Sequence, residues 1–102
     1  MLHVVASFDL VAGKRPEFLE LFHTLAPQVR AEAGCIEYGP AVDAAVSIPG
    51  VPAPRADSVT ILEKWSSEAA LTTHLAAPNM RAFFARTQPL VRTLLVNVLQ
   101  PA

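Results

Sequence analysis

A single cysteine, Cys35, excludes an internal disulfide framework, and one free thiol suits a reducing compartment. Charge is scarce too: Asp, Glu, Lys and Arg make up 17% of the 102 residues, against roughly 25% in an average soluble domain. Eight basic and nine acidic side chains leave a net charge of -1, so neither nucleic acid nor an anionic membrane finds an electrostatic footprint here. No apolar run approaches the roughly 18 residues of a spanning helix. The N-terminus has no basic n-region, and Asp9 interrupts its apolar stretch, so no secretory leader is expected and the expected location is cytoplasmic. There is no Gly-rich phosphate loop, no GxSxG elbow and no HExxH pair, and His3, His23 and His74 lack metal-ligand spacing. Neither a metal nor a bound cofactor is therefore expected.

What the chain does have is apolar surface, with 52% hydrophobic residues in one domain spanning 1–102. A domain this small and this apolar cannot hide everything alone, which predicts burial in an oligomer. Leu2 to Leu10 alternates as a strand, with Leu2, Val4, Ala6, Phe8 and Leu10 on one face. After Gly13 and Pro16 the period becomes helical through Phe18, Leu21, Phe22, Leu25 and Val29, with a kink expected at Pro27 and a left-handed cap at Gly34. Cys35 to Val42 reads as a second strand. Asp43 to Asp57, with Pro49, Pro52, Pro54 and Gly50, reads as a loop or extended arm. Ser58 to Trp65 is a third strand with Val59, Ile61, Glu63 and Trp65 on one face. Ser66 or Ser67 caps a helix bearing Leu71, His74 and Leu75; Pro78 interrupts it, and Asn79 is expected to cap a continuation with Met80, Phe83 and Phe84. Leu94 to Leu99 closes the chain as a fourth strand.

The order βαββαβ predicts an α+β, ferredoxin-like antiparallel sheet with its helices on one face. The other face must then meet water or a second molecule. Because the strands are apolar on both sides, a homodimer of back-to-back sheets closing towards a barrel is expected.

The block Glu63 to His74, E-K-W-S-S-E-A-A-L-T-T-H, followed by A-P-N-M-R-A-F-F, resembles the antibiotic biosynthesis monooxygenase family, which includes small quinol monooxygenases. Ala33 to Tyr38 looks like that family's turn into its second strand. The resemblance implies a dimeric α+β barrel. It also implies an enzyme that oxidises a small electron-rich aromatic, hydroquinone- or anthrone-like, with dioxygen and without a cofactor. Haem-degrading relatives in the superfamily use an Asn on the first strand, where this chain has Ser7. A second His that the family often carries after the proline is replaced by Asn79. That leaves His74 as the main candidate for a proton carrier.

Each candidate has a plainer role beside the functional one. His74 on an apolar helix stripe is either a hydrogen-bonded core histidine or a neutral base. Trp65 is a wall for an aromatic substrate or the largest plug of a small core. Glu63 is better read as a structural partner than as a group orienting His74. Tyr38, Phe83 and Phe84 are candidate walls; for Tyr38, a buried ring with its oxygen at the rim is the commoner case. Ser7 and Asn97 interrupt apolar strands and are candidate cavity residues, with backbone or water as their alternative partners. Cys35 reads as an inert buried thiol. Two other functions fit the same residues: a dimer that binds a small aromatic unchanged, and an isomerase of a small oxygenated metabolite using the same base.

Overall fold

A computed structural model describes all 102 residues. Its elements are β1 (Leu2–Leu10), α1 (Arg15–Arg30), β2 (Cys35–Ala41), β3 (Ser58–Trp65), α2 (Glu68–Ala76), α3 (Pro78–Thr87), a short 3₁₀ turn (Gln88–Leu90) and β4 (Val91–Leu99). The four strands form one sheet in the order β2-β3-β1-β4, and every neighbouring pair is antiparallel. This is the ferredoxin-like arrangement that the element order predicts.

Alternation decides which side is buried. Val4, Ala6, Phe8 and Leu10 of β1 face the core with Val59, Ile61 and Trp65 of β3. Above them α1 lays down Phe18, Phe22, Leu25, Ala26 and Val29 at helical spacing. The rings of Phe8 and Phe18 are 4.8 Å apart, and Phe22 stacks on Tyr38 at 5.2 Å. The opposite sheet face is partly open, with Leu62 and Leu95 exposed on it.

Four local details differ from the sequence reading. Helix α1 begins at Arg15, one residue before Pro16, and carries Pro27 inside it as far as Arg30. It ends there, before Gly34, and its last turn is closed by Ala31 N–H donating to the Pro27 carbonyl and Glu32 N–H to the Val29 carbonyl. The positive φ of Gly34, +84°, instead serves the turn into β2. Asn79 does not cap α3: Ala77 takes the cap position and Pro78 the first helical one, where its missing N–H costs nothing, while Asn79 Nδ2 donates to Gln28 at 3.4 Å. Cys35 is half-buried, and burial together with the nearby Glu32 and Glu63 carboxylates pushes its thiol up.

The cap of α2 is Ser67, whose hydroxyl accepts from Ala70 N–H at 3.1 Å. The adjacent Ser66 N–H donates to the Gly34 carbonyl at 2.8 Å. The start of α2 and the end of the α1–β2 turn are thereby pinned together. A Cβ at residue 34 would lie 2.5 Å from the Ala70 Cβ and 2.7 Å from Ser66 Oγ, whereas one at Gly13, also at positive φ, would meet nothing within 4 Å. The Gly13→Ala variant should lose about 1 kcal/mol, the left-handed backbone penalty alone. Gly34→Ala should lose a further 1–3 kcal/mol or so from overpacking. Urea unfolding of both variants measures the difference; equal losses would contradict the close approach at Gly34.

Candidate active site

Strand β3 places Glu63 and Trp65 two residues apart on the helix-facing side, and the Trp65 indole N–H donates to Glu63 Oε1 at 2.8 Å. Helix α2 then lowers His74 onto them. Its imidazole stacks on Trp65 at 4.5 Å with the planes 29° apart, and meets Tyr38 edge-on at 5.5 Å. The ring is 1% exposed. Its Nδ1 lies 3.1 Å from Glu32 Oε1 and 3.4 Å from Oε2, while Nε2 has no hydrogen-bond partner and sits 4.0 Å from Glu63 Oε1.

Those contacts assign the tautomer. A proton on Nδ1 is donated to the Glu32 carboxylate, which leaves the lone pair on Nε2. Burial holds His74 below its ordinary value, and the Glu32 carboxylate opposes that shift through charge and hydrogen bond. Near neutral pH the ring is therefore uncharged and can accept a proton. Glu63 is raised by burial and by the charge of Glu32, with the Trp65 hydrogen bond pulling the other way. The Tyr38 phenol is pushed far up by burial and the two carboxylates, so it stays protonated.

His74 opens onto a cavity between the sheet and helices α2 and α3. Its interior is narrow, about 50 Å³, and widens towards an open mouth. Thirteen of its fifteen lining residues are hydrophobic, and Glu63 and His74 are the other two. Val4, Ala6, Phe8 and Ile61 form the floor, Tyr38 one wall, and Met80, Phe83 and Phe84 the roof. A ligand here meets an apolar lining with its two polar groups, 4.0 Å apart, side by side.

Most of the sequence candidates converge on this space. His74, Glu63, Tyr38, Phe83 and Phe84 all line it. Trp65 does not: it is fully buried and backs His74, so it is the plug of the core and its contact with the cavity passes through the imidazole. Ser7 and Asn97 fall outside as well. Ser7 pairs with Thr60 and Leu95, and Asn97 with Val5, all on the sheet face away from the helices, because β1 and β4 put even-numbered residues inward. No cluster of three or more His, Cys, Asp or Glu side chains is arranged to hold a metal ion.

The residue that sequence reasoning missed is Glu32. It sits just beyond the C-terminus of α1, in the turn that Gly34 folds against α2. A carboxylate at the negative end of a helix is electrostatically misplaced, and that was the available signal. Its partner, however, lies 42 residues away.

Three comparisons with known proteins bear on the site. A family model described as "Antibiotic biosynthesis monooxygenase" matches residues 1–86. The Escherichia coli (strain K12) protein described as "Probable quinol monooxygenase YgiN" is 33% identical over 103 aligned residues, covering 99% of this chain and 98% of its own. Among solved structures, a conserved protein from Methanosarcina mazei Go1 superposes with a TM-score of 0.85 at 22% identity, covering 99% of this chain and 92% of that one. Protein SO0527 from Shewanella oneidensis gives 0.81 at 29% identity over 96% and 87%. The first of these structural likenesses speaks for the fold alone.

The tautomer and the shifts can be read directly. Nitrogen-15 NMR at pH 7.5 should show His74 neutral with its proton on Nδ1, and in Glu32→Gln the ring should titrate at lower pH than in the parent, since the carboxylate is what raises it. A proton on Nε2, or an upward shift in the variant, would refute the assignment. The folded-state value lies below the unfolded one, so the unfolded chain binds the extra proton first. Stability should therefore fall as pH drops below about 6.5, the free-histidine value, and urea midpoints for parent and His74→Gln across that window measure it.

Proposed function

The chain belongs to the antibiotic biosynthesis monooxygenase family, and we propose from that premise that it is a cofactor-independent monooxygenase acting as a homodimer. Its substrate is a small electron-rich hydroxyaromatic of the hydroquinone or anthrone class, oxidised by dioxygen in the cavity beside His74. The observation that carries this reading is the bare Nε2 of a neutral, buried imidazole lining an apolar cavity. An unsatisfied buried acceptor costs about 1–3 kcal/mol, and a substrate hydroxyl hydrogen-bonding to Nε2 recovers it. The quinol monooxygenase description of the Escherichia coli relative supports the choice of substrate class.

The steps follow from these groups. Nε2 accepts the hydroxyl or benzylic proton, giving an electron-rich anion and an imidazolium that Glu32 stabilises through Nδ1. The anion passes one electron to dioxygen. The resulting carbon radical and superoxide combine into a C–O bond, and the peroxide takes the proton back from Nε2. Loss of water from the hydroperoxide breaks the O–O bond and leaves a carbonyl, so one oxygen atom enters the quinone and the other leaves as water. The electrons come from the substrate, and the protein contributes the base, orientation and a dry, apolar setting in which the anion is reactive. Tyr38, Phe83 and Phe84 hold the ring. Trp65 and Glu63 support His74 from behind and beside it.

The homodimer rests on the open sheet face. Val5 and Leu62 lie side by side there, with Leu95 and Leu99 on the neighbouring edge strand, and three of these four are large exposed hydrophobics. Apposing that face on a second copy removes it from water.

Incubation of the purified protein with a panel of hydroquinones and anthrones should give quinone with oxygen taken up from air and none under argon. In His74→Ala the rate should fall by about 10²–10⁴-fold, the usual contribution of a positioned base, with the parent's sedimentation coefficient retained. Glu32→Gln should lose less, because the base remains and only its orientation and charge support are gone. Turnover without oxygen would turn the reading towards an isomerase, recovery of unchanged ligand would turn it towards a binding protein, and full activity in His74→Ala would remove the base.

A further inference from the structure

Two apolar features of the chain have no partner within it, and they lie at opposite edges of one sheet. One is the mouth of the cavity: Leu75, Phe84, Val96 and Val98 line it, yet they are 51, 38, 47 and 50% exposed, because α2 and α3 do not reach over edge strand β4. The other is the segment 42–57, which leaves the opposite edge strand, β2. It is an ordered arm. Asp43 accepts from Arg55 Nε at 2.7 Å, from Nη2 at 2.9 Å and from the Arg55 backbone N–H at 2.9 Å, clamping its two ends together. Arg15 donates to the Arg55 carbonyl at 3.1 Å and ties the clamp to α1. Between the clamped ends Val46, Ile48 and Val51 are 43, 56 and 48% exposed.

We propose that in the dimer the arm of each copy closes the mouth of the other copy's cavity, so that every site is completed by the partner's Val46, Ile48 and Val51. The proposal rests on the homodimer of the functional reading and adds what covers the open wall. Two sheets stacked face to face about a twofold axis parallel to their strands place the β2 edge of each copy over the β4 edge of the other. Such an axis preserves height along the strands. Ala41, the last residue of β2, is level across the sheet with Thr60, Ser7 and Leu95, so the arm leaves one copy level with Leu95 of the other, next to Val96 at the mouth. Ile48 stands five positions beyond the clamp at Asp43. That is a reach of up to about 17 Å, against the roughly 10 Å between packed sheets and the further turn round edge strand β4 to the helix side, where Val96 faces. An axis perpendicular to the strands would set β4 on β4 and leave both arms bare. The clamp and the prolines also hold the arm's shape before it docks, which lowers the entropic cost of docking. A surface that mixes a preformed apolar arm with an open apolar mouth is self-complementary in the way a twofold interface requires.

The test is site-directed cross-linking of the full chain in a Cys35→Ser background, with sedimentation velocity run in parallel. Chains carrying Ile48→Cys are mixed with chains carrying Val96→Cys and oxidised. The expected result is a disulfide-linked dimer in the mixture and little in either chain alone. A sedimenting dimer that never cross-links, with Val98→Cys substituted for Val96→Cys as well, overturns the arm's placement while the dimer stands; a monomer overturns both. With a hydroquinone substrate, Ile48→Asp should raise KM at least about tenfold, the scale of one lost apolar contact in a pocket, and an unchanged KM counts against the proposal. Asp43→Ala frees the arm without adding charge to the interface and should move KM the same way if Ile48→Asp proves monomeric.

Discussion

The hydrogen bond between Glu32 and His74 is the contact on which the site depends. An imidazole fully buried without it could present either nitrogen to the cavity. With it, the proton is held on Nδ1 and Nε2 is left to face Glu63 and the apolar cavity. The same carboxylate offsets part of the burial that drives the ring towards neutrality, and it stabilises the imidazolium once a proton arrives. A base in an apolar cavity needs both properties: neutral at rest, and not too costly to charge. Removing the carboxylate would deepen the first at the expense of the second.

Getting that carboxylate into place constrains the fold around it. Glu32 lies in a turn, and the turn reaches α2 only because Gly34 has no side chain to collide with Ala70 and Ser66. On the far side, Trp65 fills the space under the imidazole and gives its N–H to Glu63, which keeps that acid from turning freely into the cavity. The helices cover one face of the sheet and stop short of β4. This one-sided covering creates the cavity, leaves its mouth open, and leaves a second apolar face on the other side of the sheet. The open mouth and the bare apolar face are thus both consequences of helices that cover one side of the sheet only in part.

Much of this was legible in the sequence, for a definable reason. Strand alternation and helical spacing are local signals, and they locate β1, α1 and β3 and the inward set of Phe18, Phe22, Ile61 and Trp65 directly. His74 stood out as one polar group on an apolar helix stripe. What failed was phase and distance. As polar breaks in apolar strands Ser7 and Asn97 look like cavity residues, but the parity that puts Phe8 and Val96 inward puts both of them outward. The sequence leaves Trp65 equally a wall or a plug, and only the stacking of His74 over it decides for plug. Glu32 could not be matched to His74 because nothing local couples a turn to a helix 42 residues on. The end of α1 is misplaced for a smaller reason: a glycine of positive φ marks a turn, and Gly34 stands at the far end of the turn that follows the helix, four residues beyond Arg30.

If a neutral His74 takes the proton from the substrate, turnover must follow the titration of its ring. The dependence of kcat/KM on pH is measured with a hydroquinone whose own ionisation lies far above the range, and the NMR titration of His74 is recorded in the same buffers. Rate should fall on acidification as a single ionisation whose midpoint coincides with that of His74, below the ordinary histidine value. A profile flat through the His74 midpoint, or one whose midpoint does not move when Glu32→Gln moves the titration of the ring, would contradict it.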